Sequence, residues 1–120
     1  MHQAFRATVL PLAIAAVALV ISAGAALAHP TIDIVASNWK FTPAKISIPV
    51  NEETTLRLTS SSGVHGIASD DLGIATTKIT PGDFQLVKFT PKKAGTYVLH
   101  CAVVCGPGHS DMALTIEVTP

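Results

Sequence analysis

Residues 95–118, GTYVLHCAVVCGPGHSDMALTIEV, carry the pattern that decides the fold. Both ends alternate apolar and polar residues, the period of a half-buried β-strand. Strands are therefore expected at Gly95 to Cys101 and at Met112 to Val118, with a turn-rich loop between them. Parity along the first strand puts Tyr97, Leu99 and Cys101 on one face and Val98 and His100 on the other. Cys101 thus ends a core-facing row, and His100 points away from it.

The same alternation recurs upstream. Ile32, Ile34 and Ala36 share a face, Ile46 and Ile48 mark a second strand, and Leu56 and Leu58 a third in which Arg57 points outward. Further strands fit Gly66 to Ser69 and Gln85 to Phe89. Breaks fall at Thr42-Pro43, Asn51 to Glu53, Ser60 to Gly63, Pro81-Gly82 and Lys92 to Gly95, where Gly, Pro and Asn supply the backbone angles of turns. No stretch has helical periodicity. The expectation is all-β, an antiparallel sandwich or barrel of seven or eight strands.

The chain has 120 residues, enough for one compact domain. Its first 28 read as a secretory leader: Arg6 without an acid, an apolar run from Val9 to Leu27, and Ala26-Leu27-Ala28 as a cleavage signature. The alternative is a retained anchor, since the apolar run approaches the ~20 residues that cross a bilayer. Residues 29–120 are then the exported domain, periplasmic or anchored facing the periplasm. In that domain seven basic residues stand against eight acidic ones, which gives no electrostatic case for nucleic-acid binding. If the leader is cut, His29 becomes an N-terminus whose amine and imidazole can chelate a metal.

Cys101 and Cys105 are the only cysteines, so no disulfide framework spans the domain. Within twelve residues Cys101, Cys105, His109 and Met112 present two thiols, an imidazole and a thioether, the soft and borderline donors that select copper over hard cations. Flanking strands fix the ends of this loop, and Pro107 between two glycines suits a turn that brings His109 back towards the cysteines. A further ligand must come from elsewhere, and His65, at a strand entry after the Ser60 to Gly63 turn, is the candidate. The bland alternatives remain beside this one: a structural bond between the two cysteines, and a structural role for His65.

The spacing Cys-x3-Cys-x3-His-x2-Met with a distant His resembles the CuA-type cupredoxins, the Greek-key β-sandwich domains of cytochrome c oxidase subunit II and nitrous oxide reductase. Phe41-Thr42-Pro43, Val64-His65-Gly66, Leu72-Gly73-Ile74, Pro81-Gly82 and Gly95-Thr96-Tyr97 extend the resemblance across the exported domain. It implies an electron carrier rather than an enzyme. Cys101 and Cys105 would bridge two coppers, His65 and Met112 completing one and His109 with the Val103 carbonyl the other. Sharing one unpaired electron over two metals would reduce structural change on electron transfer. The implied partner is a c-type cytochrome or a terminal oxidase.

Departures from the family pattern bear on this. Val103 occupies a position that is commonly acidic in subunit II, which alters hydrogen bonding around the site. Trp39 is the only tryptophan, without the aromatic cluster that receives electrons from cytochrome c, so a free carrier is expected rather than an oxidase subunit. Asp70 and Asp71 would form a docking patch for a basic cytochrome or else a solvated turn. Alternatives are a protein that stores copper or delivers it to an oxidase, and a mononuclear site of His65, Cys105, His109 and Met112. Zinc leaves Met112 without a role. A thiol oxidoreductase would use Cys-x2-Cys near a βαβ unit, and neither is present.

Overall fold

The computed structural model describes residues 29–120. The expected leader lies outside the described residues. Nine strands follow one another: β1 Thr31–Ser37, β2 Lys40–Thr42, β3 Lys45–Pro49, β4 Thr54–Ser60, β5 His65–Ser69, β6 Ile74–Ile79, β7 Phe84–Phe89, β8 Gly95–His100 and β9 Ala113–Thr119. The one helical element among them is a 3-10 turn at His109–Asp111, too short to leave a periodic signature. None of the described helices is long and apolar enough to cross a membrane.

One sheet has the order β2-β1-β4-β7 and a second the order β3-β9-β8, while β5 and β6 form a separate hairpin. β1 pairs parallel with β4, and β3 pairs parallel with β9. Parallel neighbours cannot be joined by a tight hairpin, so the chain crosses between sheets to make them. Such crossings give the sandwich its Greek-key character.

Inward faces alternate as the sequence predicts. Ile34 and Ala36, Leu56 and Leu58, and Val87 and Phe89 line the first sheet; Ile46 and Ile48, Leu99, and Leu114, Ile116 and Val118 line the second. Ile67, Ile74 and Ile79 from the hairpin join the same core. Each fully buried aliphatic side chain contributes about 1.5–3 kcal/mol relative to exposure. With no disulfide among the described residues, this apolar layer holds the ends of the strands in place.

Two of the nine strands, β2 and β6, are not among those placed from the sequence. β2 is three residues long and buries Phe41 alone, so it has no alternation to read. β6 buries Ile74 and Ile79, five positions apart and so of opposite parity on a regular strand. Its pairing with β5 explains this: Ile67 faces Thr77 and Ser69 faces Ile74, so β6 carries an extra residue there. A bulge flips the parity and lets both isoleucines face the core.

Candidate metal centre

Three segments meet at one end of the sandwich. β8 delivers Cys101, β9 begins just after Met112, and the backbone N–H of Cys101 donates to the Met112 carbonyl at 3.1 Å. That bond closes the base of the loop as a continuation of the β8–β9 ladder. The next amide, of Ala102, donates to the Gly66 carbonyl at 3.0 Å and fastens the loop to β5. A Cβ on Gly66 would lie 3.1 Å from Val103 Cγ1, so the Val103 side chain packs directly on the β5 backbone. This cover explains why His65, Gly66 and Ile67 are all buried although they alternate in direction.

His65 opens β5 and is 0% exposed. Its Nε2 lies 2.7 Å from the Ser62 carbonyl oxygen. A carbonyl only accepts, so this contact assigns the proton to Nε2 and leaves a lone pair on Nδ1. Nδ1 faces the Cys101 thiol, 3.9 Å from Sγ. Ser60 Oγ donates to the Ser62 and Gly63 carbonyls and so steadies the turn that holds the imidazole.

The two cysteines are free thiols. Donor atoms of His65, Cys101 and Cys105 all lie within 4.8 Å of one another. Cys101, 4% exposed, has Sγ 3.3 Å from the Val103 carbonyl oxygen. Cys105 has Sγ 3.4 Å from His109 Nδ1 and 4.0 Å from Met112 Sδ. All six residues singled out in the sequence, His65, Cys101, Val103, Cys105, His109 and Met112, therefore converge. His100 is exposed on the other face of β8, and Asp111 is exposed as well.

The donor set fits a soft metal. Two thiols, two imidazole nitrogens, a thioether and a carbonyl oxygen suit copper in chemistry. Their spacing suits it in size, because ligands ~2.0–2.3 Å from a tetrahedral ion stand ~3.5 Å apart. Separations of 3.3, 3.4, 3.9 and 4.0 Å bracket that value.

Without a metal the Cys105 thiol holds its proton. Burial pushes the Cys105 thiol up from 9.0 to about 11; the neighbouring Cys101 adds to the shift and a backbone hydrogen bond opposes it. Between those values the unfolded chain binds fewer protons than the folded one, so metal-free stability is full below about pH 9 and falls as pH rises towards about 11. Urea unfolding under reducing conditions at about pH 8 and about pH 10.5 is expected to show a larger loss for the wild type than for Cys105→Ser. Equal losses would remove Cys105 as the cause.

Trp39 lies 40% exposed against the outside of this loop. Its indole N–H donates to the Cys105 carbonyl at 3.0 Å. Asp70 and Asp71 turn out to be remote from the site. They follow the far end of β5, on the order of 15 Å from His65 along a strand of ~3.3 Å per residue. There Asp71 lines an open cleft with Lys93 to Tyr97, and both acids line another with Lys92.

The family description of a Cupredoxin-like domain matches residues 10–109. Two sequences of cytochrome c oxidase subunit 2 from Thermus thermophilus are each 31% identical over 88 residues, 73% of this chain; the chain spans 64% of one and 52% of the other. The periplasmic domain of cytochrome oxidase subunit II from Bradyrhizobium japonicum superposes with a TM-score of 0.67 at 20% identity, over 74% of this chain and 83% of that one, a likeness of fold. A chain of a heme-copper terminal oxidase dimer gives 0.67 at 26% identity, over 77% and 66%. With nine strands in this topology and a soft donor cluster between β8 and β9, the chain belongs to the cupredoxin-like domain family.

Proposed function

We propose that this chain is an exported copper protein that accepts and donates single electrons through a dinuclear site. The observation that carries this reading is the division of donors between the two thiols. The Cys101 thiol neighbours His65 Nδ1 and the Val103 carbonyl, and the Cys105 thiol neighbours His109 Nδ1 and Met112 Sδ. The resemblance to CuA-type domains pairs His65 with Met112 and His109 with the Val103 carbonyl; each pair draws one donor from each thiol's side, so this arrangement of two sets sharing both cysteines is compatible with the contacts. A mononuclear site would leave Cys101 and the Val103 carbonyl without a part.

When bound, copper supplies a one-electron couple. The chain's own residues hold it still: Ser62 orients His65, the β8–β9 ladder fixes Cys101 against Met112, and the apolar core excludes water from Cys101 and His65. Loading requires both thiols to lose their protons, and the raised Cys105 value makes uptake more favourable as pH rises. Burial of His65 and Cys101 favours a resident metal over one passed between proteins, because a delivery protein needs accessible ligands. The subunit 2 relatives support a c-type cytochrome or a terminal oxidase as redox partner and a periplasmic location.

Copper content of the purified domain, read with the electron paramagnetic resonance and visible spectra of its oxidised form, tests the proposal. About two ions per chain with a delocalised seven-line signal are expected. One ion with a four-line signal replaces this reading with a mononuclear site, and no uptake after copper loading ends the copper reading.

A further inference from the structure

We propose that Trp39, on the turn between β1 and β2, is a positioning residue whose turn braces both ligand-bearing segments at once. The inference rests on the copper reading of the site. It begins with the outer half of the loop. Among the described residues, the hydrogen bonds made by Cys105 to Asp111 stay within the loop, with one exception: the Trp39 indole N–H donating to the Cys105 carbonyl at 3.0 Å. Among the described residues, Cys105 and His109 thus sit on a segment whose only hydrogen bond to the rest of the fold comes from this tryptophan.

The ring also lies on the loop backbone. A Cβ on Gly108 would stand 2.6 Å from the indole Cγ and Cδ2, and one on Gly106 would stand 3.1 Å from Nε1. Gly108 has φ −91°, which any residue adopts, so the ring rather than the backbone requires glycine there. Gly106, at φ +120°, needs glycine for its conformation as well.

The residue before Trp39 reaches the other ligand. The Asn38 backbone N–H donates to Ser62 Oγ at 3.0 Å, and the carbonyl of the same serine receives the His65 Nε2 proton at 2.7 Å. A Cβ on Gly63 would collide with Asn38 Oδ1, so this turn is seated as closely as the other. Two adjacent residues therefore hold the serine whose carbonyl orients His65 and the carbonyl of Cys105. Partners that orient a ligand from outside the donor set typically govern metal affinity by 10–100-fold.

The test uses Trp39→Phe, Trp39→Ala, Gly108→Ala and the double variant Trp39→Ala/Gly108→Ala in the copper-loaded chain. Copper release to excess chelator, the paramagnetic resonance hyperfine pattern and the metal-free melting temperature are read for each. Trp39→Phe keeps a ring over the glycines but loses the N–H, and release about tenfold faster is expected; Trp39→Ala and Gly108→Ala should approach about 100-fold with altered hyperfine splitting. The double variant should release copper no faster than Trp39→Ala, because the methyl at position 108 then has no ring to displace. Trp39→Phe and Gly108→Ala keep the test decisive should Trp39→Ala not fold. Wild-type release rates and spectra in Gly108→Ala and Trp39→Phe, or release that only follows the metal-free melting temperature, overturn the brace while leaving the copper reading intact. A wild-type chain that takes up no copper overturns both.

Discussion

Cys101→Ser is expected to take copper content from about two ions per chain to fewer than about one, with loss of the sulfur-to-copper absorption, while the metal-free fold persists. The fold is spared because what Cys101 gives the architecture is its backbone. Its N–H closes the loop base on the Met112 carbonyl, and that bond does not depend on the side chain. A serine hydroxyl at this buried position has the Val103 carbonyl as an acceptor, which lies 3.3 Å from the sulfur it replaces. The cost of the exchange is then about 1 kcal/mol, or about 4–8 °C in Tm for a domain of this size. On the proposed reading the site loses far more, since Cys101 would belong to both sets of donors and a neutral hydroxyl is a poor ligand for a soft ion. Copper analysis and thermal melting of the same preparations separate the two effects. Full copper content in Cys101→Ser would sink any reading in which the cysteines share the metal.

Much of the donor cluster was legible because it lies within one loop whose flanking strands announce themselves by parity. Leu99 and Cys101 are buried and Val98 and His100 exposed, as alternation from Gly95 requires. His65 was readable as a strand entry after a turn, but its partner Ser62 was not, because the contact is to a backbone carbonyl that any residue would provide. Gly66 looked like an ordinary strand glycine. Its carbonyl and bare Cα are where the loop docks, a demand visible only once Ala102 and Val103 are laid against it.

Trp39 and the Asp70-Asp71 pair show the limit from the other side. A lone tryptophan beside a strand reads as core or edge, and nothing local in the sequence says that Gly106 and Gly108, more than sixty positions away, leave room for its ring. The two acids stand only five and six residues after His65, yet a strand carries them to the opposite end of the sandwich. Nearness in sequence is nearness in space only within a turn or across a hairpin. β6 was lost for a related reason, because its bulge breaks the period on which strand reading depends.

His109→Ala and Met112→Leu should separate, and the contrast follows from how each side chain is held. Met112 is 0% exposed where β9 begins, so it is a core residue as well as a proposed donor. Leucine conserves most of its volume and should cost the metal-free fold less than about 1.5 kcal/mol. Only the thioether is lost, the weakest donor of the set, 4.0 Å from Cys105 Sγ. Copper is expected to stay bound with affinity reduced less than about tenfold, and the reduction potential to shift. His109 is only partly buried, on the 3-10 turn of the loop, with Nδ1 3.4 Å from Cys105 Sγ. Alanine there removes a strong nitrogen donor and opens the Cys105 side of the site to solvent. Since partners that merely orient a ligand cost 10–100-fold, removal of the ligand itself should exceed about 100-fold in copper affinity. Chelator competition ranks the affinities, voltammetry reads the potential of Met112→Leu, and urea unfolding of the metal-free variants removes any contribution from the fold. Equal and negligible effects from both substitutions would mean that His109 and Met112 stand beside the cysteines without sharing their metal.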